Sequence, residues 1–90
     1  MIISKTTHQF RNCLEKLATE IQHQAQKAYS KFRENPQHPG LRFKKMHASN
    51  PIYSVRINDD YRALGIMDGN EIVWFWIGTH TDYDKLLDKR

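Results

Sequence analysis

Apolar positions recur along this chain with two different periods. Phe10, Cys13, Leu14, Leu17, Ile21, Ala25, Ala28, Tyr29 and Phe32 return every three or four residues, the spacing of one buried helical face. Arg11, Lys16, Gln22, Gln26, Lys27 and Lys31 fall mostly outside that stripe. Thr6 or Thr7 can cap its start, and Thr19-Glu20-Ile21-Gln22 has the form of a capping box. The pattern therefore predicts two helices meeting near Ala18; a single helix over residues 7–34 would bury the same face. From Glu34 to Gly40 the helical period stops, because Pro36 biases Asn35 away from helix and Pro39-Gly40 punctuates a turn. The period then changes to two. Leu41 to Met46 reads as a short basic strand, His47 to Pro51 as a polar loop, and Tyr53 to Ile57 as an alternating strand with one wet face. Tyr61 to Met67 is the next strand. Ile72 to Ile77, entirely β-branched or aromatic, has the composition of a strand buried on both faces, ending at Gly78. Met1 to Ser4 is a short edge strand.

These elements predict a single α+β domain over residues 1–90, a helical hairpin packed on one face of a small twisted antiparallel β-sheet. The other face is expected to be partly bare. Turn lengths set which side chains share it. A three-residue turn at Asn58 to Asp60 places Arg56 opposite Arg62, and a three-residue turn at Asp68 to Asn70 places Arg62 opposite Trp76. Val55, Ile57, Ala63, Met67, Val73, Phe75 and Ile77 then face the helices. Arg56, Arg62, Trp74 and Trp76 gather on the opposite face, and His80 follows in the same phase if the chain stays extended. A one-residue slip in either hairpin would split this set.

The chain has 90 residues and a formal net charge of +4, so polyanions are its expected partners. Residues 41–47 carry Arg42, Lys44 and Lys45 with no acid, a candidate RNA-backbone contact or, more plainly, a solvated face. No apolar run is long enough to span a membrane, and the N-terminus lacks the apolar core of a signal peptide. The lone Cys13 sits in the helical stripe and fits a reducing cytoplasm. No cysteine–histidine spacing points to zinc, the acids form no magnesium cage, and there is no nucleotide-binding glycine loop. No cofactor or metal is expected.

Two proton-handling side chains, His80 and Tyr83, follow the buried strand, whose end has little positional freedom. Two arginines side by side repel unless an anion sits between them, and a phosphate of a bound polynucleotide is that anion in this reading. The plainer alternatives are splayed, solvated arginines, an ordinary loop histidine at position 80, and a Tyr83 that packs with Leu86 and Leu87. Trp74 and Trp76 are candidate core or partner-interface residues. His8, His23, His38 and His47 carry no assigned role.

The run Tyr53-Ser54-Val55-Arg56-Ile57-Asn58-Asp59-Asp60-Tyr61-Arg62-Ala63-Leu64, followed by a hydrophobic strand and Gly78-Thr79-His80-Thr81-Asp82-Tyr83, resembles the RelE/ParE superfamily of bacterial type II toxin–antitoxin toxins. The resemblance spans nearly the whole chain. It implies a ribosome-dependent, metal-independent mRNA endonuclease acting in the ribosomal A site through attack of a ribose 2′-hydroxyl on the adjacent phosphate. Arg56 falls where that family places a basic or histidine side chain, Arg62 matches its Tyr-Arg arginine, His80 the histidine of some branches and Tyr83 their terminal aromatic. Asp60 corresponds to an acid used in one branch. Ser54 stands where a second lysine is frequent and no arginine follows Gly78, departures that favour a histidine-based site. A cognate antitoxin over the bare face, covering Trp74 and Trp76, is the implied protein partner. The gyrase-poisoning branch of the superfamily, and a decayed toxin that only binds its antitoxin, are the alternatives.

Overall fold

In a computed structural model that describes residues 2–47 and 50–88, five strands form one sheet in the order β1-β5-β4-β3-β2. These are β1 (Ile3–Thr6), β2 (Lys44–His47), β3 (Asn50–Arg56), β4 (Tyr61–Asp68) and β5 (Glu71–Thr79). Three helices, α1 (His8–Glu15), α2 (Thr19–Glu34) and α3 (His80–Asp88), complete the fold. The α+β architecture expected from the sequence is the one observed. One pairing departs from it: β1 runs parallel to β5, so the sheet is antiparallel only from β5 to β2. Met1, the start of the expected edge strand, and residues 48–49 of the expected loop lie outside the described residues, as do the side chains of Leu86 and Leu87.

The helices break near Ala18 as expected, but not by the expected cap. Thr7 caps α1, its Oγ1 accepting from the Phe10 N–H at 3.0 Å. The N-cap of α2 is Ala18, which has no side-chain hydrogen bond to give. Gln22, rather than closing a box on Thr19, donates from Nε2 to the Leu17 carbonyl at 2.9 Å. It thus satisfies a carbonyl beyond the end of α1. After α2, His38 Nδ1 accepts from the Gly40 N–H and a 3-10 turn, Pro39–Leu41, replaces the first part of the expected basic strand. Leu41 is drawn into the core and Arg42 adopts a left-handed φ of 48°, so the strand begins only at Lys44.

Helices α1 and α2 cover one face of the sheet. Ala25, Ala28 and Phe32 of α2 are buried with Leu41, Val55, Ala63, Ile72, Trp74 and Ile77. Phe32 meets the rings of Phe43 and Trp74 edge-on at 5.0 and 5.4 Å. The layer is not closed. A cleft of about 360 Å³ remains, walled by Phe10 and Leu14 of α1 and by Ala25, Ala28 and Tyr29 of α2, with Val55, Ala63 and Trp74 among its lining residues.

The β3–β4 hairpin keeps the expected register, with Arg56 opposite Arg62. The β4–β5 hairpin does not. Its turn holds two residues, Gly69 at φ 62° and Asn70, with Asp68 opposite Glu71. A bulge then restores the phase: Gly65 pairs with Trp74 but Leu64 with Trp76, leaving Phe75 as the extra residue. Arg62 consequently lies opposite Gly78, two residues beyond the expected Trp76. On the turn side of the bulge the faces are exchanged, so Ile72 and Trp74 point to the helices and Val73, paired with Ile66, points away. The expected set of odd-numbered core residues is corrected accordingly.

The opposite face is less bare than expected. Helix α3 returns across it against β4 and β5, and Ser54 and Leu64 are buried on that side. Ile66, further along β4, stays 43% exposed.

Candidate active site

Arg56 and Arg62 face each other across the end of β3 and β4, on the side of the sheet away from α1 and α2. Adjacent like charges there need compensation. Arg56, about a quarter exposed, forms an ion pair with Asp59 in the turn. Arg62 folds back over the same turn and donates from Nη1 to the carbonyls of Asn58 at 2.6 Å and Tyr61 at 3.0 Å. Neither guanidinium is splayed into solvent; both are held by the Asn58-Asp59-Asp60 loop.

That loop owes its shape to Asn58. Its Oδ1 accepts from the backbone N–H groups of Asp60 (2.8 Å) and Tyr61 (2.9 Å), an Asx turn in which a side chain stands in for a backbone carbonyl. Its Nδ2 donates to Gln24 Oε1 on α2.

His80 reaches the same end of the sheet by a different route from the one expected. The strand runs one residue past Gly78, and His80 opens α3 instead of continuing the strand. Thr79 Oγ1 accepts from the Asp82 N–H at 3.1 Å and so caps that helix. The His80 N–H donates to the Asp60 carbonyl, tying the start of α3 to the arginine-bearing turn. Its imidazole is about half exposed, with Nδ1 3.4 Å from Asp84 Oδ2.

Tyr83 is placed otherwise than expected. It is 7% exposed, and its hydroxyl donates to Met46 Sδ at 3.1 Å. The hydroxyl is thus engaged beneath α3 and the ring has no open face for a base. It meets the His80 ring edge-on, centroids 5.8 Å apart, a position that favours the packing alternative over the expected proton-handling role.

The basic stretch is also divided. Lys44 pairs with Ser54 and shares the face of Arg56 and Arg62. Lys45 pairs with Tyr53 and points to the other face, and Arg42 sits apart in its left-handed turn. All three side chains are exposed. Trp74 is 3% exposed, its Nε1 donating to Ser4 Oγ at 2.8 Å, so it lies in the core under the helices and lines the cleft there, not on the opposite face where it was expected with Trp76. Trp76 keeps the expected face, its ring lying over Gly78, where a Cβ would come within 2.5 Å of Cζ2.

Asn58 and Asp59 entered the sequence analysis only as turn residues, and Gln24 and Asp84 had no role there. One of them left a signal there, as did the start of its helix. Asp84 stands one helical turn after His80, and Thr79-His80-Thr81-Asp82 has the threonine–acid spacing of a helix start. Gln24 left none, since its contact spans 34 positions.

Comparison with solved structures finds the same fold in other chains. The RelE chain in the RelB–RelE antitoxin–toxin complex of Methanococcus jannaschii superposes with a TM-score of 0.73 at 13% identity, covering 91% of this chain and 96% of that one. YafQ of Escherichia coli strain BL21(DE3) gives 0.69 at 10% identity, over 92% and 98%. The toxin–antitoxin complex RelBE2 of Mycobacterium tuberculosis gives 0.69 at 19% identity, over 88% and 98%. These likenesses concern the fold. No curated protein matched the chain. The model of the ParE-like toxin domain matches residues 19–85, a span that takes in α2, all of β2 to β5 and the start of α3 with His80 and Tyr83. By that match the chain belongs to the ParE-like toxin domain family.

Proposed function

We propose that this protein is the toxin of a type II toxin–antitoxin pair and cleaves mRNA on the ribosome without a metal, by attack of a ribose 2′-hydroxyl on the adjacent phosphate. The observation that carries this reading is the convergence at one end of the sheet. Arg56 lies directly across from Arg62, and His80 is tethered by its N–H to the turn between them. Such cleavage needs a base for the 2′-hydroxyl proton, an acid for the departing 5′-oxygen, and cations around the phosphorane. The planar, fork-shaped guanidinium groups suit bidentate binding of the phosphate as its charge grows. His80 is the proton-transfer group, since an imidazole can both accept and donate a proton and this one is open to solvent. Lys44, on the same face, holds the RNA backbone.

The proposed protein partner is an antitoxin, in keeping with the antitoxin-bound states of RelE-type structural neighbours. Its seat is the cleft between α1 and α2, which Trp74 lines, in place of the opposite face that carries Trp76. The cleft is apolar, has Arg11 among its lining residues and no acid, and belongs to a chain of net charge +4. An acidic segment with large apolar side chains matches both properties.

Primer extension on messages from cells expressing the chain tests the reaction. Discrete stops within translated messages are expected, and Arg62→Ala or His80→Ala should remove them by lowering the rate roughly 100-fold or more. Folded variants that still cut would sink the assignment. The ParE-like description of the matching family model favours a second reading, a non-enzymatic poison of DNA gyrase. In that case messages stay intact while gyrase-linked DNA breaks accumulate.

A further inference from the structure

Arg62 is held by backbone carbonyls, so its aim depends on whatever fixes that backbone. Its Nη1 donates to the Asn58 carbonyl at 2.6 Å, and Asn58 in turn is fixed from two sides. Within the loop its Oδ1 takes the N–H groups of Asp60 and Tyr61. Outside the loop its Nδ2 donates to Gln24, in a part-buried contact that joins the turn to the middle of α2. We infer that Gln24 is a positioning residue for the RNA-cleaving site, acting through Asn58 to set the pose of the Arg62 guanidinium. This rests on the proposed nuclease reading for its catalytic consequence, and on geometry alone for its structural one.

The logic is chemical. An Asx turn by itself fixes the shape of a loop but leaves the loop free to rock about its two strands. The His80 N–H ties the Asp60 end of the loop to α3, and the Asn58–Gln24 bond fixes its Asn58 end, on an element that lies on the opposite side of the sheet from the arginines. An asparagine at position 58 can serve both ends, accepting within the turn and donating to α2, where an aspartate could only accept. The acceptor at position 24 is the part that can be varied without touching the loop, the arginines or His80.

The test uses Gln24→Ala and Gln24→Glu in the full chain; glutamate keeps an oxygen where Asn58 Nδ2 donates. On programmed ribosomes, Gln24→Ala should lower kcat roughly 10- to 100-fold with KM nearly unchanged, the signature of a misaligned transition-state group. Gln24→Glu should restore most of it. Independently of activity, ¹⁵N-arginine NMR reads rotation of the Arg62 guanidinium. It should be hindered in the parent and in Gln24→Glu, and freed in Gln24→Ala. Parent-like Arg62 signals in Gln24→Ala would overturn the inference, as would Gln24→Glu behaving like Gln24→Ala in both readouts. A parent chain that cuts no RNA would remove the nuclease reading, and the NMR comparison would still decide the positioning role.

Discussion

A Cβ built on Gly65 would lie 2.8 Å from Trp74 Cε3 and 2.9 Å from Ile72 Cγ1, both in the core under the helices. Gly65 is therefore the residue that lets the Trp74 indole lie across β4 after the bulge exchanges the faces. Gly65→Ala should destabilise the chain by about 1–3 kcal/mol through overpacking, read as a lower urea midpoint. Gly69 is the opposite case: nothing lies within 4 Å of its built Cβ, but its φ is +62°. There Gly69→Ala should cost about 1 kcal/mol from backbone strain alone, and Gly69→Asn less. Equal losses for alanine and asparagine at position 69 would contradict that account. Tyr83 separates packing from chemistry in the same way. Tyr83→Phe gives up only a hydroxyl bonded to a weak thioether acceptor, so it should cost less than about 1 kcal/mol and leave the proposed cleavage intact. Tyr83→Ala empties a buried site and should cost about 3–5 kcal/mol. A folded Tyr83→Phe that no longer cuts RNA would return the hydroxyl to the mechanism.

The break between α1 and α2 is legible in the sequence while its chemistry is not. An apolar stripe marks which face is buried, and both helices bury the face it marks. A capping box, by contrast, is a local pattern that competes with other uses of the same side chains, and here Gln22 is taken by the Leu17 carbonyl. Ala18 is left as an N-cap without an acceptor. Ala18→Ser should then add the missing hydrogen bond to the first turn of α2 and raise stability by about 0.5–2 kcal/mol. An unchanged or lower thermal midpoint would mean that the corner already satisfies those N–H groups. Strand faces follow the same division. The β3–β4 register follows from a turn whose length is evident, so the Arg56–Arg62 pair could be read directly. The β4–β5 register depends on a bulge whose place is set by where Trp74 fits between Gly65 and Phe32, a tertiary fact with no local signature.

At the scale of the whole molecule, the sheet carries the proposed reaction on one face and the proposed partner on the other. Net charge and the arginine pair make a polyanion the partner expected from the sequence, although within the chain Asp59 pairs with Arg56 and backbone carbonyls hold Arg62. The partner's seat was not legible in this way. The stripe shows which helical positions are apolar, not how far α2 stands from α1. Small residues leave that gap: Ala25 and Ala28 both line the cleft, and both are nearly buried. Ala28→Leu tests the idea because its two effects have opposite signs. Three added carbons entering an apolar cleft open to one side should stabilise the free chain by about 1–2 kcal/mol, at roughly 0.8 kcal/mol for each methylene fully buried. The same carbons take the place of a partner side chain, so affinity for the cognate antitoxin should fall at least ten-fold, as read by calorimetric titration. A variant that is more stable and binds antitoxin as tightly as the parent would move the partner off this cleft. One that loses both stability and binding would show that the space at Ala28 is already filled by packing. Only the combination of a higher urea midpoint and a weaker complex fits an apolar groove kept open for an occupant.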